Sequence, residues 1–397
     1  MENAADNSIV LEVYPAIQPS LRIAVVTETW PPEVNGVAVT LAKLVQGLRA
    51  RNHDVQLIRP RQNKIDEVSS DSQLEEVLMR GMPIPRYPQL KLGLPSKKTL
   101  INTWTLRRPD VVHIATEGPL GWSALQAAKV LKLPVTSDFR TNFQSYSKHY
   151  GIGWLRKPIV AYLRKFHNAT ACTMVPTQEL MRTLAENGFQ NLKVVARGVD
   201  TKLFNLSKRN LALRLSWGVT EKTKVLISVG RMAPEKNLEQ VLKTYEALSA
   251  MNADFKLVMV GDGPLKLQFQ QRYPHIIFPG MLPQTELATY YASSDLFVFP
   301  SQTETFGNVT LEALASGVPV LAYDCAAARD WVTHAGNGWL VPENNMEGFA
   351  LEAVSIFKNL ELLESVAQKT RQQVVSLDWD QISEQVESVL LEAMRSK

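Results

Sequence analysis

The chain has 397 residues, 45% of them apolar, which is enough to build two or three hydrophobic cores of ordinary size. No apolar run reaches the roughly eighteen residues that a bilayer-spanning helix needs, and the first twenty residues lack the basic start and apolar block of a signal peptide. The two cysteines, Cys172 and Cys325, are far apart and show no metal-ligand spacing, so we expect a reducing cytoplasm.

Charge is distributed unevenly along the chain. The net charge is +4, but residues 1–205 hold 26 Lys and Arg against 17 Asp and Glu, a balance of +9, whereas residues 206–397 hold 17 against 22, a balance of −5. This asymmetry indicates that the first half meets an anionic partner. No nucleic-acid-binding module is recognisable, so we expect no nucleic acid among the partners.

The first half of the chain alternates buried strands with amphipathic helices. Strands are predicted at 21–27, 54–58, 111–115 and 135–137, and helices at 38–51 and 121–131. This βαβ order predicts a parallel sheet. Residues 1–20 are expected to form a flexible tail, and the polar, poorly patterned residues 62–82 a mobile excursion.

A second βαβ series follows, with strands predicted at 225–229, 256–260, 296–299 and 318–322 and helices at 237–249 and 308–316. The predicted fold class is therefore α/β, with two doubly wound Rossmann-like domains facing each other across a cleft. We place the domains at 21–205 and 206–378, and expect a helix at 379–397 to pack back on the first. Ligands in such sheets bind beyond the carboxyl ends of the strands.

The stretch PSQTETFGNVTLEALASGVPV at 300–320 joins a buried strand to a short helix. Asn308 or Thr310 is expected to cap the helix at its start, and Gly317 to end it in a left-handed conformation. The backbone N–H groups of Phe306, Gly307 and Asn308 would then lie at the positive helix end, between the carboxylates of Glu304 and Glu312. Such donors and acceptors suit a polyhydroxylated ligand such as a sugar or a ribose.

A pair of cations follows the strand VLISV. Gly230 and Arg231 come at its end, and Lys236 lies five residues further on, before a helix. Arg offers a planar fork of donors and Lys a point charge, so the pair can bind a diphosphate between them. The alternative is that both are solvated surface cations.

These motifs resemble those of a known family. Glu-x7-Glu around Phe-Gly, followed by Ala-Ser-Gly-x-Pro-Val, is similar to the signature of the family 4 retaining glycosyltransferases, and Gly-Arg-x4-Lys-Asn to their diphosphate-binding motif. The resemblance is nearest to the bacterial lipid-directed mannosyl, glucosyl and sulfoquinovosyl transferases. It implies a GT-B fold and metal-independent transfer of a hexosyl unit from a UDP- or GDP-linked sugar to an acceptor.

The resemblance also implies roles for individual residues. Glu304, Arg231 and Lys236 would be catalytic, with both cations on the departing diphosphate. Glu312 would hold the nucleotide ribose, and the amides at 306–308 the sugar hydroxyls. Gly36, in the loop after the first strand, would let its backbone approach the diphosphate. No cofactor or metal is expected, because the chain lacks the Asp-x-Asp arrangement in a loop that would suggest a metal-bound diphosphate.

The chain departs from its family at Arg140, where many relatives carry a histidine that contacts the donor sugar. An arginine cannot accept a proton, but it can bind a carboxylate, sulfonate or phosphate. One hypothesis is therefore an anionic sugar or acceptor head group. The alternative is that Arg140 turns away or pairs with Asp138.

A basic, aromatic stretch covers residues 148–167, KHYGIGWLRKPIVAYLRKFH. Trp154, Arg156, Lys157, Arg164 and Lys165 are candidate contacts to an anionic membrane surface. The alternative is ordinary core packing with a solvated basic rim. The resemblance favours a lipid acceptor such as diacylglycerol, and a cytoplasmic enzyme peripheral to the inner face of the membrane. Transfer to a soluble acceptor, and a nucleotide-sugar epimerase or hydrolase on the same fold, remain open.

Overall fold

A computed structural model describes residues 20–33, 36–62, 66, 74–84, 87–140, 156–251, 254–304 and 306–395. The predicted N-terminal tail lies outside these ranges, apart from residue 20, and so does Trp154. Within them, no helix is both long and apolar enough to cross a membrane.

The first unit contains nine strands and five helices in the described ranges. The strands are β1 (Arg22–Val26), β2 (Asp54–Pro60), β3 (Glu75–Met79), β4 (Gly81–Ile84), β5 (Tyr87–Gly93), β6 (Val111–Ile114), β7 (Val135–Asp138), β8 (Cys172–Val175) and β9 (Leu192–Val194). The helices are α1 (Gly36–Ala50), α2 (Lys97–Leu106), α3 (Pro119–Val130), α4 (Arg156–His167) and α5 (Gln178–Glu186). Seven of the strands form one parallel sheet in the order β3-β2-β1-β6-β7-β8-β9, and β4 and β5 form an antiparallel pair.

The prediction of an unstructured excursion at 62–82 is wrong where the structure describes it. Residues Glu75–Met79 form β3, which pairs in parallel with β2 at the edge of the sheet. The sequence of this strand is partly polar because it includes Glu76. That carboxylate accepts hydrogen bonds from Arg59 Nε at 3.1 Å and Nη2 at 2.8 Å. A buried ion pair therefore occupies a position where the hydrophobic pattern of a strand predicts an apolar residue.

The second unit repeats the same plan. Its strands are β10 (Lys224–Val229), β11 (Phe255–Val260), β12 (Ile277–Gly280), β13 (Leu296–Phe299), β14 (Val320–Tyr323) and β15 (Gly338–Val341). Its α-helices are α6 (Leu211–Ser216), α7 (Leu238–Ser249), α8 (Lys266–Arg272), α9 (Gln284–Ala292), α10 (Asn308–Ala315), α11 (Ala326–Trp331), α12 (Met346–Lys358) and α13 (Leu360–Lys369). The sheet is parallel, in the order β12-β11-β10-β13-β14-β15. Its central strands are buried on both faces, which explains their continuous apolar sequence.

The last helix, α14 (Trp379–Arg395), returns to the first unit and packs against α1. Glu387 on α14 is buried, accepts a hydrogen bond from Arg51 Nε at 2.6 Å and lies 3.0 Å from His53 Nε2. The chain crosses between the units twice. The two crossings run side by side, since Val199 forms a β-bridge with Asp378. The predicted class, two Rossmann-like units facing each other, is confirmed.

Candidate active site

The centre of the site is an ion pair between Lys236 and Glu304. Lys236 ends a short 3-10 turn (Pro234–Lys236) after β10, and Glu304 lies in the loop after β13, so two neighbouring strands of the second sheet bring them together. Lys236 Nζ donates to Glu304 Oε1, which also accepts from Ser301 Oγ at 2.8 Å. The side chains are 21% and 14% exposed, so the pair is partly shielded from water while remaining reachable.

Arg231 lies on the same loop but reaches further into solvent. Its side chain is 56% exposed, and Nη1 is 3.4 Å from the Glu235 carboxylate. The Glu235 carbonyl in turn accepts a hydrogen bond from the Thr303 hydroxyl at 2.9 Å, which joins the two loops. Gly230 has a φ of +152°, and a Cβ there would meet open space, so its backbone borders an open region. The Arg231 guanidinium is thus exposed beside this open region, where a ligand can reach it.

The start of α10 presents free backbone donors. Gly307 occupies the N-cap position with a φ of +91°, a left-handed conformation that favours glycine. In the described part of the chain, no group accepts a hydrogen bond from the N–H of Phe306, Gly307 or Asn308. Three unsatisfied amides at a helix N-terminus form a ready site for an anion or for oxygen acceptors.

The prediction that Asn308 or Thr310 caps α10 is wrong. Asn308 is already the first helical residue, because Gly307 takes the cap position, and Thr310 is buried inside the helix. The Asn308 side-chain oxygen is instead buried without a hydrogen-bond partner among the described residues. The other end of the helix is as predicted, since Gly317 has a φ of +76° directly after the C-cap.

Glu312 lies one turn along α10, in a narrow cavity between the units. The cavity has a volume of about 20 Å³ and is lined from the first unit by Lys43 and from the second by Asn308 and Glu312. Tyr291 donates a hydrogen bond to Glu312 Oε2 at 3.3 Å. Burial raises the pKa of Glu312 to about 7, and the hydrogen bond from Tyr291 opposes that shift. Glu304 and Glu312 therefore have different surroundings, the first beside Lys236 and the second in this cavity.

Arg140 comes directly after β7 and pairs with Asp138, as the alternative interpretation predicted. Its Nε donates to Asp138 Oδ2 at 2.9 Å and its Nη2 contacts the same oxygen. Asp138 Oδ2 also lies 3.6 Å from His113 Nε2. Arg140 and His113 hold the pKa of Asp138 well below its usual range, in opposition to the effect of burial. The pairing uses only part of the Arg140 guanidinium, since Nη1 remains buried and unpartnered within the described ranges.

Arg197 is a candidate site residue that the sequence did not lead us to predict. It follows β9, and its guanidinium carbon lies 5.7 Å from the centre of the Phe306 ring in the second unit. Burial, and secondarily the charge of Arg140, lower the pKa of Arg197 to about 9. Arg197 begins the run Arg197-Gly198-Val199-Asp200 at the crossing between the units, and nothing in that run marks the arginine as a ligand-binding residue.

The remaining predicted residues that the structure describes lie on two helices of the first unit, α1 and α4. Gly36 begins α1, and a Cβ there would meet no atom within 4 Å, so its backbone is open to a ligand. On α4, Lys157, Arg164 and Lys165 are exposed, whereas Leu163 and Phe166 are buried in the first unit. The described part of the apolar stripe is therefore mainly core packing, with a basic rim facing solvent. The side chain of Arg156 lies outside the described part of the structure.

The described residues form no cluster of three or more His, Cys, Asp or Glu side chains suited to a metal ion. What they do assemble is a shielded ion pair, an exposed arginine, three free amides and a protonatable glutamate. Such a set can bind a negatively charged diphosphate together with hydroxyl-bearing groups on either side of it.

The chain is similar, in structure and in sequence, to several known proteins. The chain superposes on the solved structure of sucrose-phosphate synthase from Thermosynechococcus elongatus with a TM-score of 0.76 and 17% identity, covering 95% of this chain and 100% of the other. It is 34% identical to a GDP-mannose-dependent alpha-mannosyltransferase of Corynebacterium glutamicum, over 81% of this chain and 76% of the relative. It is 28% identical to an alpha-monoglucosyldiacylglycerol synthase of Streptococcus pneumoniae, over 84% and 78%.

The fold, the family match and the relatives together define a glycosyltransferase of the GT-B class. The profile described as Glycosyltransferase Family 4 matches residues 34–203, and that of Glycosyl transferases group 1 matches residues 211–373. The chain belongs to glycosyltransferase family 4, which confirms the resemblance drawn from the motifs.

Proposed function

We propose that this glycosyltransferase moves a hexosyl unit from a nucleotide-diphosphate sugar to a membrane lipid, with retention of the anomeric configuration and without a metal. The observation that carries the proposal is the grouping of Lys236 and Glu304 beside the free amides at the start of α10. The similarity to a GDP-mannose-dependent enzyme supports a GDP-linked hexose as donor, and UDP-linked sugars are the second candidates.

The donor would lie across the N-terminus of α10. Arg231 and Lys236 would take the charge that develops on the departing diphosphate, and the Gly36 backbone would approach it from the first unit. Glu312 would accept hydrogen bonds from ribose hydroxyls. The Glu312 cavity, at about 20 Å³, holds little more than one water, so the units must separate slightly before a ribose enters.

Glu304 would hold sugar hydroxyls rather than attack the anomeric carbon. Its Oε1 is already occupied by Lys236 and Ser301, which weakens a carboxylate as a nucleophile. In this proposal the leaving phosphate accepts the proton of the acceptor hydroxyl as the acceptor attacks the same face of the sugar. Glu304 then stabilises the oxocarbenium-like sugar by position and charge.

A lipid acceptor fits the surface of the first unit. Lys157, Arg164 and Lys165 project from α4, and the first half of the chain carries a balance of +9. Exposed cations of this kind attract anionic head groups at about 1 kcal/mol each. The similarity to an alpha-monoglucosyldiacylglycerol synthase supports diacylglycerol as a candidate acceptor.

The decisive experiment measures transfer of radiolabelled hexose from GDP-mannose, UDP-glucose and related donors to a lipid extract. We expect a labelled lipid whose formation depends on both donor and extract, with an α-linkage that shows retention. Nucleotide release without an acceptor would instead favour a hydrolase, and sugar interconversion without an acceptor an epimerase. Transfer only to water-soluble acceptors would contradict the lipid assignment.

Membrane contact is tested separately by co-sedimentation with vesicles containing phosphatidylglycerol. Changing Lys157, Arg164 and Lys165 to Glu should abolish binding at low salt. The matched control changes three exposed lysines of the second unit by the same total charge, namely Lys208, Lys243 and Lys358 to Glu. Equal losses in both triple variants would mean that net charge, and not α4, governs binding.

A further inference from the structure

Two arginines of the first unit meet where that unit faces the second. Arg140 follows β7 and Arg197 follows β9, which lie on either side of β8 in the sheet. Both line one cavity of about 40 Å³ together with Asp138. Arg197 also lies over the Phe306 ring, one residue from the left-handed turn that begins α10. The two guanidinium groups are therefore beside the region proposed for the donor sugar.

The charges around this cavity do not balance. Asp138 is bound by Arg140, and Glu304 is bound by Lys236. For Arg197, the described ranges contain no carboxylate within hydrogen-bonding or ion-pairing distance, and its guanidinium instead lies over the Phe306 ring. Asp138 and Glu304 act on its charge only from further away. The sequence from Phe139 through Gln178 contains no Asp or Glu, so the segment that follows Arg140 supplies no further acid. One positive charge is left over in a partly shielded cleft.

The Arg140 guanidinium also has donor capacity to spare. Nε and Nη2 are directed at Asp138, while Nη1 is buried and has no partner among the described residues. The side chain is only 9% exposed, so water cannot readily replace the missing acceptor. Buried donors in native proteins are nearly always satisfied, so the unsatisfied Nη1 calls for an acceptor, which a ligand atom would supply.

The two cations repel each other in the present state. The charge of Arg140 contributes to lowering the pKa of Arg197, after the larger effect of burial. A negatively charged group between the two guanidinium groups would remove that repulsion and satisfy Arg140 Nη1. Planar guanidinium forks match the oxygens of carboxylates, sulfonates and phosphates.

We propose that Arg140 and Arg197 together form an anion subsite, which holds a carboxylate, sulfonate or phosphate group of a substrate next to Glu304. The inference rests on the proposed function, because it takes the cleft to be the place where a nucleotide sugar and an acceptor meet. The anionic group belongs either to the donor sugar or to the head group of the acceptor. Both sources present the same chemistry to the two arginines.

Calorimetric titration tests the subsite without requiring turnover. In the donor arm, UDP-glucose is compared with UDP-glucuronic acid, and GDP-mannose with GDP-mannuronic acid. In the acceptor arm, dihexanoyl phosphatidic acid is compared with dihexanoylglycerol in the presence of saturating UDP or GDP. Each pair differs only in its anionic group, so the difference in Kd isolates the contribution of that group.

Arg197→Gln and Arg140→Lys are the informative variants. Arg197→Gln removes the surplus cation, whereas Arg140→Lys keeps a charge beside Asp138 but removes Nη1. One of the two arms contains the ligand whose anionic group the subsite binds. In that arm, each variant should raise the Kd of the anionic ligand about 10- to 100-fold, and that of the matching neutral ligand much less. Arg272→Gln on α8, which removes an exposed arginine paired with Glu239, is the control and should change neither.

The outcomes are separable. Loss of anion preference in one arm supports the subsite and identifies its source. Absence of anion preference in the wild-type protein in both arms, or survival of that preference in both variants, overturns the inference. Should Arg197→Gln fail to fold, Arg197→Lys tests the planar guanidinium fork instead of the charge, and should raise the Kd of the anionic ligand by less than Arg197→Gln would while leaving the neutral ligand unaffected. Binding in these titrations without sugar transfer in any combination would count against the proposed function and not against the anion subsite.

Discussion

The protonation of Glu312 gives a prediction whose size follows from the structure. Burial raises its pKa from an ordinary 4.5 to about 7, so between these values the folded protein holds a proton that the unfolded chain has released. The contribution of Glu312 to the free energy of unfolding is therefore fully present below pH 4.5 and is lost as the pH rises from 4.5 through 7. A shift of about 2.5 pH units corresponds to at most about 3 kcal/mol, since each unit is worth about 1.4 kcal/mol.

The perturbation is Glu312→Gln, which keeps the shape and the contact to Tyr291 but cannot ionise. In the wild-type protein, the free energy of unfolding should fall by up to about 3 kcal/mol between pH 5 and pH 8.5 on account of this group. In Glu312→Gln that part of the fall should disappear. For a unit of this size the difference at pH 8.5 corresponds to a Tm on the order of 5–10 °C higher.

Thermal denaturation followed by circular dichroism, at pH 5, 6, 7, 8 and 8.5, measures this difference. Glu286→Gln, on the first turn of α9, is the control, because it removes a glutamate whose carboxylate faces solvent. Parallel pH profiles for the wild-type protein and Glu312→Gln would refute the reasoning. A second readout is nucleotide binding, which should strengthen in the wild-type protein as Glu312 ionises above pH 7 and should lose this dependence in the variant.

Three further predictions follow from the contacts. Lys236→Gln should raise the Kd of GDP or UDP about 10- to 100-fold by calorimetry and leave the monophosphate nearly unaffected; equal effects on both would remove Lys236 from the diphosphate. Gly307→Val should lower stability by about 1–3 kcal/mol in urea denaturation, because valine resists a φ of +91°; an unchanged midpoint would show that the turn adapts. Glu387→Ala should cost about 3–5 kcal/mol and expose α14 to proteolysis, because it leaves Arg51 without its carboxylate; Glu387→Gln should cost less, and resistance of both variants to trypsin would contradict the contact.

The sequence was sufficient for the parts of the fold that repeat a simple pattern. The buried strands β1, β10 and β13 and the helices α1, α7 and α10 lie within a few residues of their predicted positions, because apolar periodicity and glycine signals agree there. Short strands such as β9, with three partly buried residues, carry too little pattern to be recognised. The edge strand β3 was missed because its ion pair replaces an apolar contact.

The candidate site was predictable to the extent that it rests on local motifs. The pairing of Lys236 with Glu304 joins two loops 68 residues apart, and each loop carries a recognisable signature. Arg197 has no such signature, and its importance depends on which ring and which other cation it meets across the cleft. The cap of α10 was mispredicted because a glycine in a left-handed conformation displaced the start of the helix by one residue. Tertiary geometry thus decides what local preference leaves undetermined.

The double crossing between the units restricts how the enzyme can move. Val199 and Asp378 run side by side, and Thr201 Oγ1 donates to Asp378 Oδ2 at 2.5 Å, so the two connecting segments behave as one narrow ribbon. Sliding of one unit along the other would break this ribbon, whereas a swing about it would leave the ribbon intact. Catalytic opening should therefore be a rotation whose axis passes near Val199, with the largest displacement at the rim of the cleft furthest from it.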